Sequence, residues 1–139
     1  MSALAPPTTK VRRQFRNIQV GEILKYRLPA AGIVSIMHRI SGALLFLFLP
    51  LLLWLFDLSL ISELSFVRLR EVGGQWWMKL ILLGLAWAML HHLIAGIRYL
   101  ALDLHIGIDK EPSAKTARWV YYVSLPLTFI VALRLFGAF

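Results

Sequence analysis

The chain has 139 residues, 59% of them hydrophobic and 16% charged, and a mean hydropathy of +0.72. Soluble domains carry nearer to about 25% charge, so an ordinary water-soluble enzyme is excluded, and the absence of cysteine excludes a disulfide framework, a thiolate metal site or an iron–sulfur cluster held by this chain. The net charge of +8 does not point to nucleic acid, because the basic residues gather between apolar runs, where they set membrane topology.

Residues 1–30 read as a cytoplasmic tail, with Pro6 and Pro7 followed by Lys10, Arg12, Arg13, Arg16, Lys25 and Arg27 against one acid, Glu22. It is not a secretory signal: Met1 to Thr9 is polar, and no short apolar core with a small-residue cleavage site follows the basic cluster. Residues 31–139 read as one all-α membrane domain of three transmembrane helices. The apolar runs extend from about Ala31 to Phe56, Trp77 to Leu100 and Trp119 to Phe136, each near or above the roughly 20 residues that cross a hydrocarbon core of about 30 Å. Trp54, Trp76, Trp77, Tyr99, Trp119, Tyr121 and Tyr122 lie near the run ends, where interfacial aromatics belong. Pro50 and Pro126 fall inside runs and read as kinks, since neighbouring helices can satisfy the freed carbonyls.

Basic residues set the orientation. The tail is the richest segment; the second loop carries Lys110, Lys115 and Arg118, with Arg98 at its edge; the first loop has Arg68 and Arg70, and the C-terminal end only Arg134. Tail and second loop are therefore expected in the cytoplasm, first loop and C-terminus outside.

Polar groups within a span are costly and are the first functional suspects. In the first helix Ser35, His38, Arg39 and Gly42 fall at i, i+3, i+4 and i+7, on one face near the cytoplasmic end. A hydroxyl, an imidazole and a guanidinium there can donate to carbonyl or carboxylate oxygens; equally, Arg39 can snorkel to the headgroups beside an interfacial His38. In the second helix Gly84, Ala88, His92 and Gly96 recur every fourth residue, a stripe that admits a partner helix or a flat cofactor. The imidazole of His92 fits an axial haem ligand and also a hydrogen-bonding group between helices; both readings stay open. His91 points about 100° away and is the weaker candidate. Arg98 lies further along, within reach of a propionate if haem is present. Asp103, His105, Asp109 and Glu111 read as a solvated loop rather than a metal cluster.

Two stretches carry a resemblance. Ser35-Ile-Met-His38-Arg39-Ile-Ser41-Gly42 is similar to S-x-x-H-R-x-[ST]-G, and His92-Leu-Ile-Ala-Gly96-Ile97-Arg98-Tyr99-Leu-Ala-Leu-Asp103 is similar to H-x-x-x-G-I-R-x-x-x-x-D. Both motifs belong to the cytochrome b subunits of succinate dehydrogenase, respiratory complex II, and fall on the first and second of three helices, as in that family. Arg27-Leu28-Pro29 stands where the family often has Arg-Pro, Tyr99 where His or Phe is common, and Leu102 where an aromatic is usual.

The resemblance implies that His92 is an axial ligand of haem b iron, that His38, Arg39 and Arg98 lie near the haem propionates, and that Ser35 and Arg39 serve a site for ubiquinone or another quinone. It also implies a flavoprotein holding FAD, an iron–sulfur subunit and a second small membrane anchor as partners, in the inner (cytoplasmic) membrane of a bacterium. Nothing here binds flavin, so the chain supplies anchorage, haem and quinone binding and is not catalytic on its own. Of four histidines, His105 lies beyond the second helix, His91 is on another face and His38 is near the membrane edge; the one haem is therefore expected to be shared, its second ligand coming from the other anchor. The anchor of a fumarate reductase and a haem-free structural anchor are the alternatives. A small transporter fits less well, because the sequence shows no paired broken helices and no internal repeat.

Overall fold

The computed structural model describes Gly21 and residues 28–137; the basic tail expected over residues 1–30 lies almost wholly outside them. Four helices follow in order: α1 (Ala30–Ile61), α2 (Glu63–Gly73), α3 (Trp76–Asp103) and α4 (Lys110–Leu135). Among the described residues α1, α3 and α4 are long and apolar enough to cross a membrane, as the three apolar runs predict.

α1 starts straight after Pro29, whose carbonyl accepts the Gly32 and Ile33 amides at 2.9 and 3.2 Å. Its 32 residues make about 48 Å of helix at 1.5 Å per residue, longer than the hydrocarbon core. Pro50 is carried inside it without ending it.

The apolar runs do not predict α2. Ser62, extended at φ −160° and ψ 160°, turns the chain out of α1, and a reciprocal Ser62–Ser65 capping box starts the new helix. The Ser65 hydroxyl lies 2.6 Å from the Leu58 carbonyl, fastening the two helices at the corner. Leu64, Phe66 and Val67 are exposed on α2, and Arg68 and Arg70 give it a polar side. A short amphipathic helix beside a span suits the membrane interface.

α4 begins at Lys110, nine residues before the apolar run at Trp119. Asp109 precedes it in extended conformation without a side-chain capping bond, Glu111 sits in the first turn, and Pro112 falls where its missing N–H costs nothing. The charged stretch through Arg118 is thus helical, and hydropathy marks only the part of α4 suited to the membrane.

The core is small. Val34, Ala95, Ala117 and Val120 are its buried centre, with Ala30, Ala31, Ile94, Tyr99 and Tyr121 packed around them. These residues come from the first turns of α1, the second half of α3 and the first half of α4. Because lipid is as apolar as leucine, close packing of small side chains joins such helices rather than hydrophobic burial. Most large apolar residues face outward, and the most apolar stretch of α1 has no buried residue.

Candidate functional site: the histidine pair between α1 and α3

The inward seam of α3 is Ala88, His91, Ala95 and Arg98. His91 and His92, adjacent in sequence, consequently do different things. His91 is fully buried inside the bundle, between the rings of Trp87 and Tyr121 at 5.3 Å each, and its ring nitrogens make no hydrogen bond of ordinary geometry. His92 is half-buried and faces α1. The fourfold spacing of Gly84, Ala88, His92 and Gly96 is not a single straight stripe: Ala88 turns inward, Gly84 is exposed, and His92 and Gly96 are half-buried.

α1 receives His92 through two features. Gly42 lies against the Cε1 edge of the ring: a Cβ at that position would stand 2.7 Å from His92 Cε1, closer than side chains pack. Nδ1 lies 3.1 Å from the His38 carbonyl and 3.3 Å from the Ser41 hydroxyl. A carbonyl can only accept, so Nδ1 carries the proton and donates to it. Ser41 also donates to the same carbonyl at 2.9 Å. The tautomer this sets leaves a lone pair on Nε2, which makes no hydrogen bond among the described residues. Fixing one imidazole nitrogen so that the other can bind a metal is how protein ligands are oriented.

The His38 ring stacks on His92, centroids 4.1 Å apart and planes within 6°. Tyr99 lies tilted against His38, ring centroids 5.1 Å apart. His38, His92 and Tyr99 thus form one cluster at the α1–α3 contact. Ser35 is half-buried one turn earlier on α1, while Arg39 is exposed.

Arg98 does not point to this cluster alone. It is 8% exposed; its Nε donates to Thr116 at 3.0 Å, and one terminal nitrogen donates to the Ser113 carbonyl and hydroxyl at 3.1 and 3.0 Å. Its guanidinium also lies 5.3 Å from the centre of the Tyr99 ring. The residue therefore ties α3 to the first turns of α4. Sequence reasoning missed Ser113 and Thr116 as its partners; their i, i+3 spacing is a signal only once helix is known to begin at Lys110. Among the described residues no three acidic, cysteine or histidine side chains group as a metal site.

Residues 15–132 match the model of a family described as succinate dehydrogenase/fumarate reductase transmembrane subunit. The chain belongs to that family. Relatives named succinate dehydrogenase cytochrome b556 subunit include one from Coxiella burnetii, 34% identical over 80% of this chain and 89% of its own length. Another, from Paracoccus denitrificans, is 33% identical over 80% of this chain and 85% of its own length, and a third, from Rickettsia felis, is 29% identical over 76% and 82%. As a member of this transmembrane family with three apolar spans, the chain is a multi-pass membrane protein.

The bare backbone at Gly42 is what admits the His92 ring. Replacing Gly42 by Ala should lower the thermal stability of the purified chain, overpacking of this kind costing about 1–3 kcal/mol. Replacing Gly84 by Ala, where nothing lies within 4 Å, should not. Equal melting temperatures for the two variants would disprove the close approach.

Proposed function

We propose that the chain is the cytochrome b membrane anchor of a succinate:quinone oxidoreductase, contributing one axial ligand to haem b and part of a quinone-reduction site. The observation that carries this reading is the held Nδ1 and unengaged Nε2 of His92, together with relatives named cytochrome b556. The Nδ1 bond alone would suit a hydrogen-bonding group between helices; the nitrogen left over beside it is what a metal ligand needs. Those relatives are named for succinate dehydrogenase rather than fumarate reductase, which favours the oxidation of succinate as the working direction.

His92 would hold the iron through Nε2, and Gly42 keeps space for the ring. When bound, the haem supplies one-electron transfer on the way to quinone. His38 covers one face of the His92 ring and, with Arg39 and Arg98, forms the basic surroundings of the propionates. Ser35 and Arg39 stand one turn apart on α1, where a hydroxyl and a guanidinium can donate to quinone oxygens. The second axial ligand comes from another anchor subunit. His38 and His92 lie face to face, so the two would not hold one iron between them. His91 is spent inside the bundle. A flavoprotein and an iron–sulfur subunit complete the complex on the cytoplasmic side, and residues 1–30 form a cytoplasmic tail ahead of the membrane domain at 31–139.

Three experiments test this reading. Replacing His92 by Leu should abolish or greatly weaken the b-type absorbance of the complex, while His91→Leu should leave it in place; an unchanged low-spin spectrum in the His92 variant would remove the assignment. Ser35→Ala and Arg39→Leu should lower quinone reduction while succinate oxidation with an artificial acceptor persists, and parallel loss of both activities would point instead to failed assembly. Because the chain has no cysteine, single cysteines can report topology: one at Ser62 should react with an impermeant reagent from outside the cell, and one at Lys115 only from the cytoplasm. The reverse pattern would invert the orientation.

A further inference from the structure

The end of the bundle away from the histidine pair holds a cleft of about 860 Å³ that the quinone and haem reading does not use. Three elements meet there. Arg70 comes from the last turn of α2, Lys79 from the first turn of α3, and Arg134 from the last turn of α4. The remaining wall is largely apolar, with Ile130, Val131 and Leu135 of α4. Among the described residues no carboxylate lines it; Glu71, next to Arg70 in sequence, is not part of the lining. The Lys79 ammonium lies 5.5 Å from the centre of the Phe136 ring, which keeps its stem against the apolar end of α4.

The depth of the cleft narrows the choice of occupant. Lys79 precedes His92 by 13 residues on the same helix, about 20 Å along the axis at 1.5 Å per residue. Trp76 and Trp77 stand exposed just before it, at the level where interfacial aromatics meet the headgroups. Positive charge at headgroup level above an apolar wall that runs toward the membrane interior is complementary to a molecule with an anionic head and an acyl tail. A free inorganic anion would make no use of Ile130, Val131 and Leu135.

We propose that this cleft binds an anionic phospholipid, its phosphate held by Arg70 and Lys79 at the edge where Arg134 also lies, and an acyl chain lying along Ile130 and Val131 of α4. The bound lipid cements the capped α2 helix onto the ends of α3 and α4, which few direct contacts between protein groups do at this end.

The test uses the chain purified in detergent with whatever subunits accompany it, after delipidation. Thermal stability is followed during titration with phosphatidylglycerol, with phosphatidylcholine and with inorganic phosphate. Phosphatidylglycerol should raise the melting temperature saturably, and the other two should not. Lys79→Gln and Arg70→Gln should each raise the half-saturating phosphatidylglycerol concentration roughly fivefold, as expected for one basic residue at an anionic lipid surface. Arg68→Gln, exposed on α2 and outside the cleft, should leave it unchanged. Equal response to the two lipids would overturn the proposal as a general effect of lipid, and an equal response to inorganic phosphate would reduce the cleft to a free-anion site. An unaltered titration in the Lys79 variant would also overturn it. If the Arg70 variant does not assemble, the Lys79 variant and the headgroup comparison decide the question alone.

Discussion

A polar side chain inside a bilayer has no water to turn to, so its partners must be built into the protein. At the α1–α3 contact that requirement falls on one imidazole. The His38 carbonyl already belongs to the α1 backbone, yet it also accepts from His92 Nδ1 and from Ser41. A carbonyl has two lone pairs and can do this, but only if the ring comes close to the helix backbone. Gly42 allows that approach, and the stack with His38 and the position of Tyr99 follow from it. The placement of the helices is tuned to one ring by the absence of one methyl group.

The two loaded faces of α3 divide the chain's obligations. The inward seam, with Ala88, His91, Ala95 and Arg98, holds the bundle together. Arg98 does so by charge-assisted bonds to Ser113 and Thr116, the stronger class of hydrogen bond. The edge facing α1 carries His92. α1 itself is bare over its most apolar stretch, so most of its surface is left for lipid or for other subunits. A bundle with so small a core reads as part of a larger membrane assembly, consistent with its family.

Much of this was legible from sequence because a membrane imposes blunt rules. Three apolar runs gave three spans, and the motifs around Ser35–Gly42 and His92–Asp103 led to the family and to the two helices that meet. What stayed hidden was anything hydropathy does not weigh. α2 is set by a serine capping box, a local backbone device with a weak signature, and its residues are too mixed to register as an apolar run. The early start of α4 was hidden by its charges, although Asp109, Glu111 and Pro112 are ordinary helix-start residues. Residues at fourfold spacing do not form a straight stripe, because each step of four residues advances 400° and drifts about 40° around the helix. That drift turns His92 and Gly96 away from the inward seam, whereas Gly84 stays on the seam's side and is exposed because it lies before the small core in the second half of α3. Ser41 entered the sequence reading only as a motif letter, because a side chain's hydrogen bond to a neighbouring helix depends on an approach distance that no pattern states.

Adjacent histidines on one helix carry a consequence for how such a chain can change over time. His91 and His92 are separated by one helical step, so a single residue gained or lost between Gly84 and His91 would turn everything beyond it by about 100° relative to the seam. The His92 imidazole would then rotate away from Gly42 and a different side chain would take its place, with Arg98 leaving Thr116 in the same movement. Length in this half of α3 is therefore held by two independent contacts on opposite neighbours, α1 and α4. Substitutions can accumulate along the lipid-facing side of this helix, but insertions and deletions there are incompatible with both contacts at once.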